Sequence, residues 1–165
     1  MTKRLIVMGP SGVGKTTLGL ALAAAMDARF VDADDLHPAA NVEKMRRGEP
    51  LNDDDRWPWL DRVAGAIADA KREDRSLVVA CSALKKVYRE RLRTAEPRVT
   101  VVVLTASRAV LENRLKARTA HFMPSSLVAS QLSTLEAPGP DERAIELDAT
   151  RPVNDLVTEV LGRLS

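Results

Sequence analysis

The chain has 165 residues, enough for one domain with its own core and too few for a multidomain machine. Apolar residues make up 45% and charged residues 29%, and 25 Lys and Arg against 23 Asp and Glu leave a net charge of +2, which excludes a disordered chain and is too small for a nucleic-acid footprint. One cysteine, Cys81, excludes an internal disulfide and a cysteine zinc cluster; no apolar run is long enough to span a membrane and the first residues lack a secretory signal, so a cytoplasmic protein with no nucleic-acid or membrane partner is expected.

Short aliphatic runs alternate with longer helical patterns, the mark of βα units around a mainly parallel sheet. The first strand is expected at 5–8. Directly after it, Gly9, Pro10, Ser11, Gly12, Val13, Gly14, Lys15 and Thr16 match GxxxxGK[ST] in full, and Thr17 continues into a helix expected at 15–26. Strand, loop and helix in that order make a phosphate cradle: the glycines let successive N–H groups converge, and the helix adds its positive dipole end. Lys15 is expected to reach the β and γ phosphates, with the Thr16 hydroxyl completing a magnesium site.

A second strand at 29–32 runs into FVDADD. Alternation puts Asp32 and Asp34 on one face at its carboxyl end, so Asp34 is assigned to the acceptor hydroxyl and Asp32 to magnesium through water. The same acids also suit the cap of a following helix. A long polar stretch then carries two helices within 40–72. A third strand at 77–81, a helix at 84–95, a fourth strand at 99–104, helices at 108–118 and 125–135, a fifth strand at 144–147 and a helix at 153–164 complete the chain. The polar segments 36–75 and 118–135 break the plain alternation and are expected to form a substrate cover and a lid within a single domain, 1–165.

Three separated segments, DADDLHPAANVEKMRRGEPLNDDDRWPWL, ACSALKKVYRERLR and RLKARTAHFMPSSLVASQLSTLEAPGPDE, resemble the gluconokinase family, small carbohydrate kinases similar to shikimate kinase and the nucleoside-monophosphate kinases. The resemblance implies a three-layer α/β P-loop kinase with strand order 2-3-1-4-5, transfer of phosphate from ATP with Mg2+ to the 6-hydroxyl of D-gluconate, and a homodimer. Relatives usually show Gly between the two acids, where this chain has Ala33. Kinases of shikimate, another sugar acid or a nucleoside monophosphate share the scaffold and stand as the alternatives.

An anionic polyol needs a forked cation and several polar side chains. Local sequence leaves Arg56 open between a carboxylate clamp and a surface salt bridge with Asp53, Asp54 or Asp55; the resemblance favours the clamp. His37 and Lys44 are weaker substrate contacts. Ser82 is expected to meet a substrate hydroxyl, or to cap the next helix, or both; Lys85 and, one turn on, Arg89 would extend a cationic wall, while Arg91 and Arg93 are expected in solvent. Arg114 and Arg118 share a helical face, suiting either a salt bridge with Glu112 or, as the resemblance implies, closure over adenine and phosphates respectively, with Arg118 joining the catalytic set of Lys15 and Asp34. His121 and Phe122 are assigned to lid structure, Trp57 and Trp59 to packing of the substrate cover, and Arg151 and Pro152 to the border of the adenine pocket.

Overall fold

Strand β1 (Arg4–Met8) sends alternate side chains into two separate cores, Ile6 and Met8 to one face and Leu5 and Val7 to the other, all four at most 1% exposed. A strand buried on both faces is the expected centre of a parallel sheet covered by helices. The computed structural model describes residues 1–117 and 125–164. Among them, β2 (Arg29–Asp32), β3 (Leu77–Ala80), β4 (Thr100–Thr105) and β5 (Ile145–Asp148) join β1 in one parallel sheet of order β2-β3-β1-β4-β5. This is the order that the family resemblance implies.

Helices α3 (Asp53–Arg72) and α4 (Lys86–Ala95) cover the face holding Trp59, Val63, Tyr88 and Leu92. Helices α1 (Lys15–Met26), α5 (Arg108–Ala117), α6 (Ser125–Thr134) and α7 (Val153–Leu164) supply Leu18, Leu111, Val128 and Leu156 to the other core. The short helix α2 (Ala39–Arg46) lies between β2 and α3. A Cβ on Gly19 would lie 2.6 Å from Cε1 of Phe30, so a glycine there is what lets α1 close onto β2. No helix among the described residues is long and apolar enough to cross a membrane.

Element ends shift by at most two residues from the sequence reading, most at the start of α4. The helix expected from 84 begins at Lys86, because Ala83 takes a left-handed backbone conformation (φ 43°) and the carbonyls of Ala83 and Leu84 accept from Arg89 Nη1 (2.8 Å) and Glu136 N–H (2.7 Å) instead of starting a helix. Ser82 is therefore not the cap of α4; that position belongs to Lys85.

Candidate active site

The carboxyl ends of β1, β2 and β3 lie side by side, with Val7 and Asp32 both in register with Ala80, so the loops that follow meet at one sheet edge. Beyond β1 the phosphate loop turns sharply at Gly9 (φ 146°), where a Cβ would stand 2.9 Å from both the Leu104 carbonyl oxygen and Val13 Cγ1. Gly14 then caps α1 with no side chain in the way, and the first turn of α1 carries no acid. The backbone amides at the start of α1, the helix dipole and an adjacent lysine form an anion cradle, and they fit the phosphates of a nucleotide. Lys15 Nζ curls across the loop to the carbonyls of Gly9 (2.9 Å) and Pro10 (3.1 Å).

Asp32 ends β2 and performs two tasks at once. Its Oδ1 accepts from Asp34 N–H at 3.0 Å, capping the 3-10 turn Ala33–Leu36, while Oδ2 accepts from the Thr16 hydroxyl at 3.3 Å. A hydroxyl beside a carboxylate at the edge of a phosphate loop is the hard-oxygen donor set that suits Mg2+. The turn points Asp34 outward, with its side chain 72% exposed, and is pinned from behind by the Trp59 indole, which donates to the Ala33 carbonyl at 2.7 Å. Trp59 also stacks on His37 (4.2 Å, 15°), whose Nδ1 meets Asn41 Nδ2 at 3.2 Å. Burial and the nearby Arg56 hold the His37 imidazole down at about 4, so it is neutral at pH 7.

One cavity of about 250 Å³ gathers Ser11, Lys15, Asp34, His37, Arg56 and Ser82, with Gln131 of α6 and apolar Met45 and Leu51 completing its wall. Six residues singled out in the sequence thus share one space. Arg56 is set there by the start of α3: Asn52 and Asp55 form a reciprocal capping box (2.8 and 2.9 Å), the three acids of the first turn complement the helix dipole, and Arg56 Nη1 donates to the Tyr88 hydroxyl at 3.0 Å.

Three of the expected substrate contacts are engaged elsewhere in the structure. Lys44 and Lys85 do not line the cavity, because Asp55 (2.7 Å) and Asp53 (3.0 Å) draw their ammonium groups onto the first turn of α3. Arg89 extends no cationic wall: it is fully buried, with Nε on Glu142 (2.7 Å), Nη1 on the Ala83 carbonyl (2.8 Å) and Nη2 on both the Glu136 carbonyl (2.9 Å) and Glu142 (3.0 Å). Arg93 is not in solvent either, since Glu142 also draws it in at 2.9 Å, whereas Arg91 is partly exposed on Asp61 and the face of Trp57.

A second cavity, about 430 Å³, opens on the other side of the phosphate loop, lined by Val13, Gly14, Thr17, Arg114, Arg151 and Pro152 among others. Arg114 bridges its walls, donating to the carbonyls of Val13 (2.8 Å) and Ala149 (2.7 Å); Glu112 pairs instead with Arg108 (2.8 Å). The Pro152 carbonyl starts α7, accepting from Asp155 and Leu156. Arg118, His121 and Phe122 lie outside the described residues.

Gln131 was not singled out in the sequence. Its Oε1 accepts from Ser11 N–H at 2.7 Å and its Nε2 donates to the Ser11 hydroxyl at 3.2 Å, tying α6 to the phosphate loop. Tyr88 was missed too; both lie in the motifs that carry the resemblance, but only the fold shows what they touch. Cys81, beside the site, is inert: burial pushes its thiol up to about 12.

With this geometry in place, comparison with known proteins places the chain. A model of the AAA domain family matches residues 5–138. The thermoresistant gluconokinase of Escherichia coli is 40% identical over 157 residues, 94% of this chain and 90% of that one. The chain belongs to the gluconokinase family. The gluconokinase of Gluconobacter oxydans is 43% identical over 157 residues, covering 95% of this chain and 88% of its own. The crystal structure of a gluconokinase from Sinorhizobium meliloti superposes with a TM-score of 0.88 at 43% identity, covering 97% of this chain and 90% of that chain. In this gluconokinase-family chain the phosphate loop and the cavity beside it are thus parts of a kinase scaffold.

Proposed function

We propose that the chain transfers the terminal phosphoryl group of ATP to the 6-hydroxyl of D-gluconate, giving 6-phosphogluconate and ADP. The observation that carries this reading is the single cavity in which Lys15 of the phosphate loop, the exposed carboxylate of Asp34 and the guanidinium of Arg56 stand together. A phosphate anchor, a proton acceptor and a carboxylate fork are what phosphorylation of a hydroxy acid needs.

The residues divide the work as follows. Arg56 holds the gluconate carboxylate, Ser82 and neutral His37 meet hydroxyls, and Asp34 takes the proton from the acceptor oxygen as that oxygen bonds to the γ phosphorus. The bond from phosphorus to the bridging oxygen breaks, and ADP leaves. Lys15 and the phosphate loop with the first turn of α1, Gly9 to Thr17, surround the charge that spreads over the transferred group. Thr16, with Asp32 through water, would hold Mg2+, which supplies further neutralisation of the phosphates. Arg114, Pro152 and Thr17 border the nucleotide in the second cavity, with Arg118 closing from the lid. Closure of the lid over the nucleotide would exclude water that competes with gluconate for the γ phosphate.

The same proposal includes a single domain with a substrate cover at 36–75 and a lid at 118–135, action in the cytoplasm and a homodimer. Coupled ADP release measured across gluconate, shikimate, glucose, glycerate and nucleoside monophosphates tests it. Marked preference for gluconate, with phosphate on the 6-hydroxyl, is expected; preference for another acid would leave the phosphate-loop assignments standing and overturn the acceptor pocket.

A further inference from the structure

Arg56 directly follows three acids, yet its guanidinium donates to a neutral oxygen, the Tyr88 hydroxyl, at 3.0 Å. Two of those acids are engaged elsewhere, Asp55 by Lys44 (2.7 Å) and Asp53 by Lys85 (3.0 Å). Tyr88 in turn donates its hydroxyl proton to Oδ1 of Asp53. The polarity of this chain is forced. A guanidinium only donates and a carboxylate only accepts, so the one proton of the phenol must go to Asp53 while its lone pair receives Arg56.

The ring that carries the hydroxyl is fixed. It is 1% exposed, meets Trp57 edge-on (5.6 Å, 84°), and has Arg56 and Lys85 at 5.4 and 5.6 Å from its centroid. Burial, then the Asp53 hydrogen bond, push the phenol up from its ordinary value, which keeps its proton in place at neutral pH. Tyr88 is not among the residues lining the cavity, so whatever it does for substrate it does through Arg56.

We propose that Tyr88 is a positioning residue for anion recognition: its hydroxyl is a spacer that keeps Arg56 out of a direct ion pair with Asp53 and leaves the guanidinium charge available to the carboxylate of a sugar acid. The inference rests on the reading of Arg56 as the carboxylate clamp. An arginine closed on Asp53 would have to break a charge-assisted pair before it could receive substrate, and the cost would fall on acidic substrates and spare neutral polyols. Tyr88 is in this sense a specificity device, setting how strongly the site prefers an acid to an uncharged hexitol.

The test compares Arg56→Ala, Tyr88→Phe and Tyr88→Phe/Asp53→Ala with the unaltered enzyme, using gluconate, the neutral hexitol glucitol and ATP as substrates. Tyr88→Phe keeps the ring and removes only the spacer. It should raise the KM for gluconate about tenfold, with the KM for ATP and the thermal midpoint near those of the unaltered enzyme and the preference for gluconate over glucitol reduced by the same factor. Removing Asp53 as well takes away the competing anion, so the double variant should recover most of the gluconate affinity; a purely structural role would make it worse than Tyr88→Phe alone. If Arg56→Ala leaves the gluconate KM unchanged, the clamp reading falls, whatever Tyr88 does. If Arg56→Ala raises it but Tyr88→Phe does not, or the double variant fails to recover, the clamp stands and the spacer is overturned.

Discussion

Arg89 of α4 and Glu142, in the loop before β5, pair inside the protein: Nε lies 2.7 Å from Oε1, and the two side chains are 0% and 2% exposed. The remaining donors of Arg89 reach the carbonyls of Ala83 and Glu136, so one guanidinium staples the loop carrying Ser82 to the segment that leaves α6. Such a pair contributes little relative to a well-packed apolar pair, but breaking half of it strands a buried charge.

Glu142→Gln should therefore destabilise the protein by about 3–5 kcal/mol at pH 7. Burial opposes ionisation of Glu142, but the hydrogen bonds and charges of Arg89 and Arg93 overcome it and bring the carboxyl from 4.5 down to about 2. Its folded value is depressed, so its stabilisation is fully present above pH 4.5 and is lost as pH falls toward about 2. Urea midpoints of the two proteins should stand far apart at neutral pH and converge on acidification through that window. A gap that stays constant with pH would show that Glu142 does not act through its charge.

The staple also marks where the sequence stops being readable. The phosphate loop and the paired acids were legible because their chemistry is local: consecutive backbone amides, a strand end, a spacing of two residues. Helical spacing put Arg89 one turn after Lys85 on a shared face, but Lys85 is the extended cap turned to Asp53, and spacing could not reveal that Glu142, 53 positions after Arg89, would fold under it. Nor could DDDRWPWL disclose that its first and third acids would capture Lys85 and Lys44 and leave Arg56 to the cavity, since the partners lie on α2 and before α4. The sheet order came from resemblance, because hydrophobic pattern fixes neither which strands are neighbours nor which edge they share.

Lys44 provides a direct check on that capture. As a substrate contact, its loss would weaken gluconate binding strongly. Paired with Asp55 outside the cavity, Lys44→Met should leave the gluconate KM within about threefold and lower stability by roughly 0.2–1 kcal/mol, the scale of a partly exposed ion pair. Steady-state kinetics beside thermal melts separate the two, and a tenfold rise in KM would return Lys44 to the binding site.

Asp32→Asn should separate metal from fold. The asparagine Oδ1 can still accept from Asp34 N–H, the 3.0 Å contact that shapes the turn, while the charge facing Thr16 disappears. If Asp32 orients water on Mg2+, the apparent Mg2+ affinity in the presence of ATP should fall about 10–100-fold with little change in melting temperature. A magnesium titration of activity reads this out, and an unchanged midpoint would leave Asp32 as a cap alone.

On the proposed mechanism, Asp34→Asn removes the proton acceptor and should act on turnover far more than on nucleotide binding. The side chain is 72% exposed and lies 4.0 Å from His37 Nε2, and it is the backbone N–H of Asp34, not its carboxylate, that Asp32 caps, so that cap survives the change. Trp59 continues to anchor the turn through the Ala33 carbonyl. General-base assistance contributes about 10²–10⁴ in rate, so kcat should fall by that order while the Kd for ATP, measured by calorimetry, stays within about twofold. Gluconate should bind nearly as before if Arg56 is the carboxylate clamp proposed above, since an amide oxygen still accepts from a hydroxyl. Should turnover survive intact, the acceptor proton would have to leave by another route, and the assignment of Asp34 to that proton would fall even with the substrate and the phosphate loop correctly placed.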